Sequence, residues 1–232
     1  MENTVTPLRI ALLGYGRMGK EVEKIALERG HEIVCRIDSE PDFEAHAEAW
    51  RTADVAIEFS VPAAVVSHME RCLEVGMPIV AGTTAWQQEE ARLRKRCAET
   101  GGAVVAAANF SVGVNVFLQL IRQAAALLRP LPQYAGHIEE THHIHKLDAP
   151  SGTAVSMNAA LEQGGLPALP IVSERRGEVV GIHGLYFESE QDCIEIRHEA
   201  KSRAGFALGA VMAAEWLSGR RGWYGMADVL GF

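Results

Sequence analysis

Short apolar runs alternate with helical segments through the first half of the chain, and this alternation constrains the fold more than any other feature. Buried strands are predicted at residues 10–13, 32–37, 55–59, 79–81 and 103–107. Helical periodicity marks residues 18–29, 63–75 and 89–99. Strands separated by helices and short loops predict an α/β fold with a doubly wound parallel sheet and right-handed crossovers.

The regular alternation of strands and helices ends after about Ser111. Helices are predicted at 112–128, 153–162 and 206–217, and strands at 136–140, 179–185 and 192–200. Strands without long intervening helices predict a mixed or antiparallel sheet, and therefore a second, α+β domain. We expect a first domain at 1–111 plus about 205–232 and a second at about 112–204, although the residues alone leave the last helix assignable to either.

Composition argues against two classes of partner. The 232 residues carry a formal net charge of −8, which opposes binding to the phosphates of nucleic acid. No apolar run approaches the roughly 18 residues of a membrane span, and the N-terminus lacks the basic start of a signal peptide. The scattered cysteines predict reduced, buried thiols in a cytoplasmic protein rather than disulfides or a zinc site; they are Cys35, Cys72, Cys97 and Cys193.

A glycine-rich motif directly follows the first predicted strand and opens a helix. It reads Gly14-Tyr15-Gly16-Arg17-Met18-Gly19, a G-x-G-x-x-G pattern. The glycines allow a tight turn and a close backbone approach, and the helix start then offers its amides to a pyrophosphate. Asp38 lies 38 − 19 = 19 residues past Gly19, close to the roughly 20 expected for the acid that binds the adenosine ribose. An isolated match would be an ordinary glycine turn, but this context predicts a dinucleotide site.

Asp38 also bears on which dinucleotide binds. A carboxylate accepts hydrogen bonds from a free 2′-hydroxyl and repels a 2′-phosphate. Ser39 carries no charge, so it offers no clamp for a 2′-phosphate. Arg36 lies two residues before Asp38 and could reach round to that phosphate. We expect NADH to be preferred, with some tolerance of NADPH.

Two further loops follow predicted strands, where ligands gather in open α/β folds. They are Gly82-Thr83-Thr84 and Ala108-Asn109-Phe110-Ser111. Either loop alone could be an ordinary turn that binds no ligand. Because both loops are predicted at the same sheet edge as the glycine motif, a role in cofactor binding is favoured.

The stretch from Glu139 to Ala154 carries the most chemistry. His142, His143, His145 and Lys146 can bear positive charge in a protein that is acidic elsewhere. Pro150 prevents a continuous helix, and Ser151 or Thr153 can cap the helix that follows. The amides near Gly152 and Thr153 then form an anion site. Histidine suits proton transfer near neutral pH, and lysine can neutralise a carboxylate or donate a proton.

Other interpretations of these histidines remain open. A His-x-His cluster can bind metal, but no carboxylate or cysteine stands at helical ligand spacing, so we expect no metal. Surface histidine pairs commonly have no function. His145, His183 and His198 are treated as structural.

At this point the chain resembles the 4-hydroxy-tetrahydrodipicolinate reductase (dihydrodipicolinate reductase) family. The family signature E-x-H-H-x-x-K-x-D-x-P-S-G-T-A is matched throughout residues 140–154. The resemblance also covers the glycine motif, residues 82–84, 108–115, 202–207 and 216–219. The chain is shorter than many members, and its glycine motif lacks an extra residue found in many relatives, which puts loop lengths and cofactor preference in doubt.

The resemblance implies an NAD(P)H-dependent reductase of the diaminopimelate–lysine route that acts on a small dicarboxylate imine. His142 would be the general acid/base, Lys146 the proton donor and a substrate ligand, and His143, Gly152 and Thr153 the ligands of the substrate carboxylates. Residues 14–19, Asp38, 82–84 and 108–111 would hold the cofactor. The resemblance also implies a homotetramer built through the second domain, with the last helix returned to the nucleotide domain.

Two alternatives stay open. Another two-domain dehydrogenase of an amino or hydroxy acid would fit the glycine motif and Asp38, but not residues 142–153. A non-catalytic NAD-sensing protein need not keep an acid, a lysine and an anion-binding helix start together.

Overall fold

The computed structural model describes residues 6–232, which form two compact units. The first unit runs through Val112 and resumes at Arg203–Phe232, and the second comprises Gly113–Ser202. Within the described residues, no helix is both long and apolar enough to cross a membrane. All four cysteines are free, and Cys193 is exposed, so the expectation that every thiol is buried was wrong for that residue.

The first unit contains one six-stranded sheet. Its strands and helices, in chain order, are β1 (Arg9–Leu13), α1 (Arg17–Glu28), β2 (Glu32–Ile37), α2 (Glu40–Ala45), α3 (Ala47–Arg51), β3 (Val55–Glu58), α4 (Pro62–Val75), β4 (Ile79–Ala81), α5 (Glu90–Thr100), β5 (Ala103–Ala106), then α8 (Ala204–Leu217), β10 (Gly222–Tyr224) and α9 (Met226–Leu230). The strand order is β10-β5-β4-β3-β1-β2, and every pair is parallel. The predicted doubly wound parallel sheet is therefore confirmed.

The central strands are buried on both faces because helices cover each side. Successive side chains of a strand point to opposite faces, so Ile10 and Leu12 pack into one apolar cluster while Ala11 and Leu13 pack into the other. Helix α8 contributes to the first cluster and packs against α1. This placement explains why its sequence is apolar on nearly every side.

The second unit contains a four-stranded mixed sheet. Its elements are α6 (Val112–Leu128), β6 (Ala135–His142), α7 (Gly152–Gln163), β7 (Ile171–Arg175), β8 (Ile182–Glu188) and β9 (Cys193–Glu199). The strand order is β7-β6-β8-β9, with β6 parallel to β7 and antiparallel to β8, and β8 antiparallel to β9. Apolar residues of α6 and α7 share one core with Ile138, Leu185 and Phe187 of the sheet. The predicted second sheet is confirmed, whereas β7 and β10 were not predicted.

Helix α8 lies unusually close to the chain after β5. A Cβ built on Gly209 would lie 1.7 Å from the backbone oxygen of Phe110, which no side chain can tolerate. Gly205, on the same helix, would meet only Ser111 Oγ, at 3.7 Å. Glycine at 209 therefore lets the helix pack directly on the backbone that precedes α6.

We predict that Gly209→Ala destabilises the fold by about 1–3 kcal/mol or more, because the added methyl group must push the helix off this backbone. Gly205→Ala is the matched control and should be neutral or stabilising by up to about 1 kcal/mol, because alanine favours a helix over glycine. Urea unfolding of both variants measures the difference. Equal stability of the two would contradict this packing.

Candidate active site

The glycine motif forms a tight turn at the carboxyl end of β1. Gly14 has φ +88, and a Cβ there would lie 2.3 Å from the backbone oxygen of Phe59. A Cβ on Gly19 would lie 2.3 Å from the backbone oxygen of Gly14, whereas one on Gly16 would meet nothing within 4 Å. Two glycines thus close the turn, and the third leaves the helix start open to a ligand. Helix α1 begins at Arg17 without a side-chain cap, so its first amides are available to a pyrophosphate.

A cavity of about 430 Å³ lies beside this turn. Its lining includes Gly14, Gly16, Asp38, Ser39, Glu40, Phe59, Ser60 and His68. The Tyr15 amide donates to Asp38 Oδ1 over 2.8 Å, which fixes the carboxylate beside the glycine turn. Arg36 forms an ion pair with Glu23, whose carboxylate also accepts from the Tyr15 hydroxyl. This pairing holds the pKa of Glu23 below its usual range. These residues fit a dinucleotide. Arg36, the cation expected to be able to reach a 2′-phosphate, is already paired with Glu23.

The loops after β4 and β5 lie at the same edge of the sheet, because all its strands are parallel. The Gly82 amide donates to the backbone oxygen of Glu58, and the Trp86 indole donates to the backbone oxygen of Thr83. Thr84 and Ala108 are exposed. Asn109 Oδ1 accepts from the Ser111 amide, and the Phe110 ring is buried in the core. Phe110 therefore supports the loop from beneath and does not present its ring to a ligand.

In the second unit, strand register gathers four side chains on the core-facing side of the sheet. Glu140 and His142 are two residues apart on β6, so they share a face. Glu140 lies opposite His183 on β8, and His142 lies opposite Arg175 on β7. The strand extends two residues beyond the predicted 136–140, and this extension places His142 in the sheet rather than in a loop.

The Glu140 carboxylate is the centre of this group and is fully buried. Its Oε1 accepts from both terminal nitrogens of Arg175, each at 3.1 Å, and from the Ser151 amide at 3.3 Å. Its Oε2 is in direct contact with His142 Nδ1, a contact that becomes an ion pair only when the imidazole is protonated. Burial raises the pKa of Glu140, but a hydrogen bond from Ser173 and the charges of His142 and Arg175 outweigh it, so that the pKa lies below its usual value. Glu140 is therefore a carboxylate at neutral pH.

His142 is buried, and its two ring nitrogens have different surroundings. Nδ1 faces Glu140, while Nε2 lies toward Gly181, where a Cβ would come within 3.0 Å of it. Burial lowers the pKa of His142 below its usual value despite the opposing effect of Glu140. In the unliganded protein the His142 ring is therefore neutral at pH 7, with Nδ1 against the Glu140 carboxylate.

His183 was treated as structural from the sequence, but it belongs to this group. Its ring centroid lies 5.0 Å from that of His142, and its Nε2 lies 3.2 Å from Ser151 Oγ. Burial, followed by the nearby charge of His142, lowers the pKa of His183 to about 4. The same Ser151 oxygen accepts from the Ala154 amide, which confirms Ser151 as the N-cap of α7.

Lys146 lies on the turn between β6 and α7. Its Nζ donates to Asp148 Oδ1 over 2.7 Å, and Arg175 donates to the backbone oxygens of Lys146 and Asp148. Hydrogen bonding by Lys146 is the main cause that holds the pKa of Asp148 below its usual range. Arg175 thus fixes both Glu140 and the turn that carries Lys146.

The remaining predicted ligands lie near this turn. His143 is half-buried, and His145 is exposed near Glu178. Gly152 and Thr153 form the first turn of α7, and a Cβ on Gly152 would meet nothing within 4 Å. The backbone at this helix start is therefore open to an anion.

Glu140, His142 and His183 each offer an atom that could ligate a metal, all within 4.8 Å of one another. Helical spacing predicts no set of metal ligands here, whereas strand pairing brings the Glu140 carboxylate beside the two histidines. Arg175 already matches the charge of Glu140, and Lys146 adds a second cation nearby. Because both would repel a metal cation, the geometry favours proton chemistry. The absence of a metal stays a prediction.

Comparison with known proteins gives consistent matches over nearly the whole chain. The family model for the N-terminus of dihydrodipicolinate reductase matches residues 8–110, and the model for its C-terminus matches residues 113–230. A 4-hydroxy-tetrahydrodipicolinate reductase of Christiangramia forsetii is 43% identical, covering 96% of this chain and 98% of its own. One from Methanoculleus marisnigri is 36% identical, covering 93% and 96%.

A solved structure shares the fold. It is a dipicolinate-bound dihydrodipicolinate reductase from a Paenisporosarcina species, with a TM-score of 0.79 and 18% identity. The similarity covers 96% of this chain and 99% of that one. At this identity the likeness supports the two-sheet architecture alone.

Proposed function

This chain belongs to the dihydrodipicolinate reductase family, and we propose that it reduces the 4-hydroxy-tetrahydrodipicolinate (dihydrodipicolinate) imine to tetrahydrodipicolinate with NAD(P)H, in diaminopimelate and lysine biosynthesis. The observation that carries the proposal is the contact of the Glu140 carboxylate with the His142 ring beside the open start of α7. It combines a proton-transfer group with an anion site, which a dicarboxylate imine requires. The relatives in Christiangramia and Methanoculleus carry the name of this activity.

The substrate carboxylates would bind to the second unit. The amides of Gly152 and Thr153 at the start of α7 hold one carboxylate, because a helix N-terminus favours negative charge. His143 and Lys146 hold the other. Lys146 is held near this position by Asp148 and has three donors, so it can reach a substrate oxygen while it keeps that partner.

His142 would supply the proton. In the unliganded protein the His142 ring is neutral, because burial lowers its pKa. A bound dianion would raise the pKa of the neighbouring imidazole. Glu140 holds Nδ1, so Nε2 takes up the proton and delivers it. The site would thus become charged only when substrate is present. Hydride addition requires a single proton, and Lys146 is the alternative donor of that proton.

The first unit would bind the nicotinamide cofactor through the glycine motif, Asp38 and the loops 82–84 and 108–111. When bound, NAD(P)H supplies the hydride that reduces the substrate ring. The chain's own contribution is to position the dinucleotide by backbone amides and to select its ribose by charge.

The activity is tested by following NADH absorbance with freshly made product of dihydrodipicolinate synthase. Consumption with this product, and none with simple 2-hydroxy or amino acids, separates the reductase from another two-domain dehydrogenase. NADH binding without turnover of any of these substrates would instead indicate a sensing protein.

We predict that His142→Ala and Lys146→Ala each lower kcat by about 10²–10⁴-fold, the usual contribution of general acid–base catalysis. Steady-state kinetics with saturating substrate and NADH measure this loss. His145→Ala is the matched control, because His145 is exposed and close in sequence, and it should stay near wild type. Near wild-type turnover of both active-site variants would remove the proposed roles.

For the cofactor, we propose that NADH is preferred. Asp38 lines the cavity beside the glycine turn, Arg36 is paired with Glu23, and the nearby Glu40 is paired with Arg71. A 2′-phosphate would therefore meet negative charge without a free cation from Arg36.

We predict that kcat/KM for NADH exceeds that for NADPH by about tenfold. The exposed Asp38 carboxylate and a 2′-phosphate in contact with it would repel by about 1–4 kcal/mol, and about 1.4 kcal/mol corresponds to tenfold. Asp38→Asn is the matched variant, since it keeps the shape and removes the charge, and it should narrow this ratio. Initial rates measured with NADH and with NADPH, for the wild type and for Asp38→Asn, give the two ratios. A wild-type preference for NADPH would overturn the interpretation of Asp38.

Two further parts of the proposal rest on the family resemblance. We propose a homotetramer that assembles through the second unit, whose edge strand β9 has mostly exposed residues. We also propose a cytoplasmic location.

A further inference from the structure

Glu58 is a fully buried carboxylate with no role in the chemistry described above. It is the last residue of β3, a central strand between β1 and β4. The next two residues, Phe59 and Ser60, line the cavity beside the glycine turn. Glu58 therefore lies directly beneath the edge where the cofactor would bind.

One oxygen of Glu58 joins the loops that follow two neighbouring strands. Oε1 accepts from the Ser60 amide at 3.0 Å, from the Ser60 hydroxyl, and from Thr83 Oγ1 at 3.1 Å. The Ser60 amide also lies 2.9 Å from Thr83 Oγ1, which closes a ring of hydrogen bonds. The loop after β3 and the loop after β4 are thus fastened to each other through this side chain.

The same two loops also pack closely at their backbones. The Gly82 amide donates to the backbone oxygen of Glu58 over 2.9 Å, and a Cβ on Gly82 would lie 2.1 Å from the Phe59 ring. Small shifts of Ser60 or Thr83 would therefore be transmitted to the Phe59 ring and the cavity wall.

The second carboxylate oxygen of Glu58 raises the free-energy cost of burying this side chain. Oε2 is buried and has no hydrogen-bond partner among residues 6–232. His68 Nδ1 lies 3.4 Å from Oε1, and the His68 side chain lines the cavity. A buried charged group with an unsatisfied oxygen destabilises a fold unless its other contacts compensate. The contacts that offset this cost are those of Oε1 with the loops after β3 and β4.

We propose that Glu58 is a positioning residue for the cofactor. Its carboxylate holds Ser60 and Thr83 inward, so that the segments 59–61 and 82–84 keep the curvature that receives the dinucleotide. The inference rests on the proposed dinucleotide site. It assigns to Glu58 an effect on cofactor affinity rather than on proton transfer.

The test uses the full-length protein and measures NADH binding by fluorescence titration, together with kcat, the KM for NADH and urea unfolding. Glu58→Leu removes the acceptor at similar side-chain length. We expect it to raise the Kd and KM for NADH by about tenfold or more, because NADH binding must then supply the free energy that orders the segments 59–61 and 82–84. The kcat at saturating NADH should stay within about twofold, because His142 and Lys146 are untouched.

Glu58→Gln is the conservative variant and keeps a carbonyl acceptor at the same reach. It should restore the Kd to within about threefold of wild type, since a neutral hydrogen bond is somewhat weaker than a charged one. Leu93→Ala is the stability control, because Leu93 is a buried core residue of α5 in the same unit. It should lower stability without a change in the Kd for NADH.

A wild-type Kd in Glu58→Leu would overturn the proposal, as would an equal rise of the Kd in Leu93→Ala. Failure of Glu58→Gln to recover affinity would also overturn it. If Glu58→Leu does not fold, Glu58→Met removes the acceptor with a more flexible side chain of similar length. It should raise the KM for NADH and leave kcat within about twofold of wild type, and a wild-type KM would overturn the proposal. Binding is measured without the imine, so a wild type that binds NADH but does not turn over refutes the proposed function and leaves this inference standing.

Discussion

The second unit depends on one buried negative charge. Removing the Glu140 carboxylate from water costs several kcal/mol unless cations and donors surround it. Arg175, the Ser151 amide and His142 supply that compensation from three different elements. The same contacts fix the ring of His142, the turn of Lys146 and the start of α7, so the charge that stabilises the local fold also orients the proposed catalytic groups.

In the first unit, the topology of the sheet positions the proposed cofactor-binding groups. Its parallel strands place their following loops at one edge, where ligands bind in open α/β sheets. Glycines close the turn after β1, and the buried Glu58 joins the turns after β3 and β4. In both units a buried carboxylate in the last residues of a strand holds the neighbouring polar groups in place: Glu58 ends β3, and Glu140 lies two residues before the end of β6.

The features predictable from sequence were those set by local pattern. The strands at 32–37 and 79–81 were predicted with the observed bounds, and so was the helix at 112–128. What was missed depends on strand pairing. β7 is short with exposed positions, so its apolar signal is weak, and without it neither Arg175 nor the extension of β6 to His142 could be placed. His183 faces the core side with Leu185 and Phe187, a two-residue period that could have indicated its side of the sheet. Its partner Glu140 is defined only by register.

The proposed proton transfer requires that Glu140 hold Nδ1 of His142 and leave Nε2 to carry the proton. The ¹⁵N chemical shifts of the His142 ring at neutral pH, measured with and without a planar pyridine dicarboxylate, test it most directly. We expect a neutral ring with its proton on Nδ1 in the free protein, and protonation of both nitrogens when the dianion binds. A neutral ring protonated on Nε2, unchanged by the dicarboxylate, would contradict the claim.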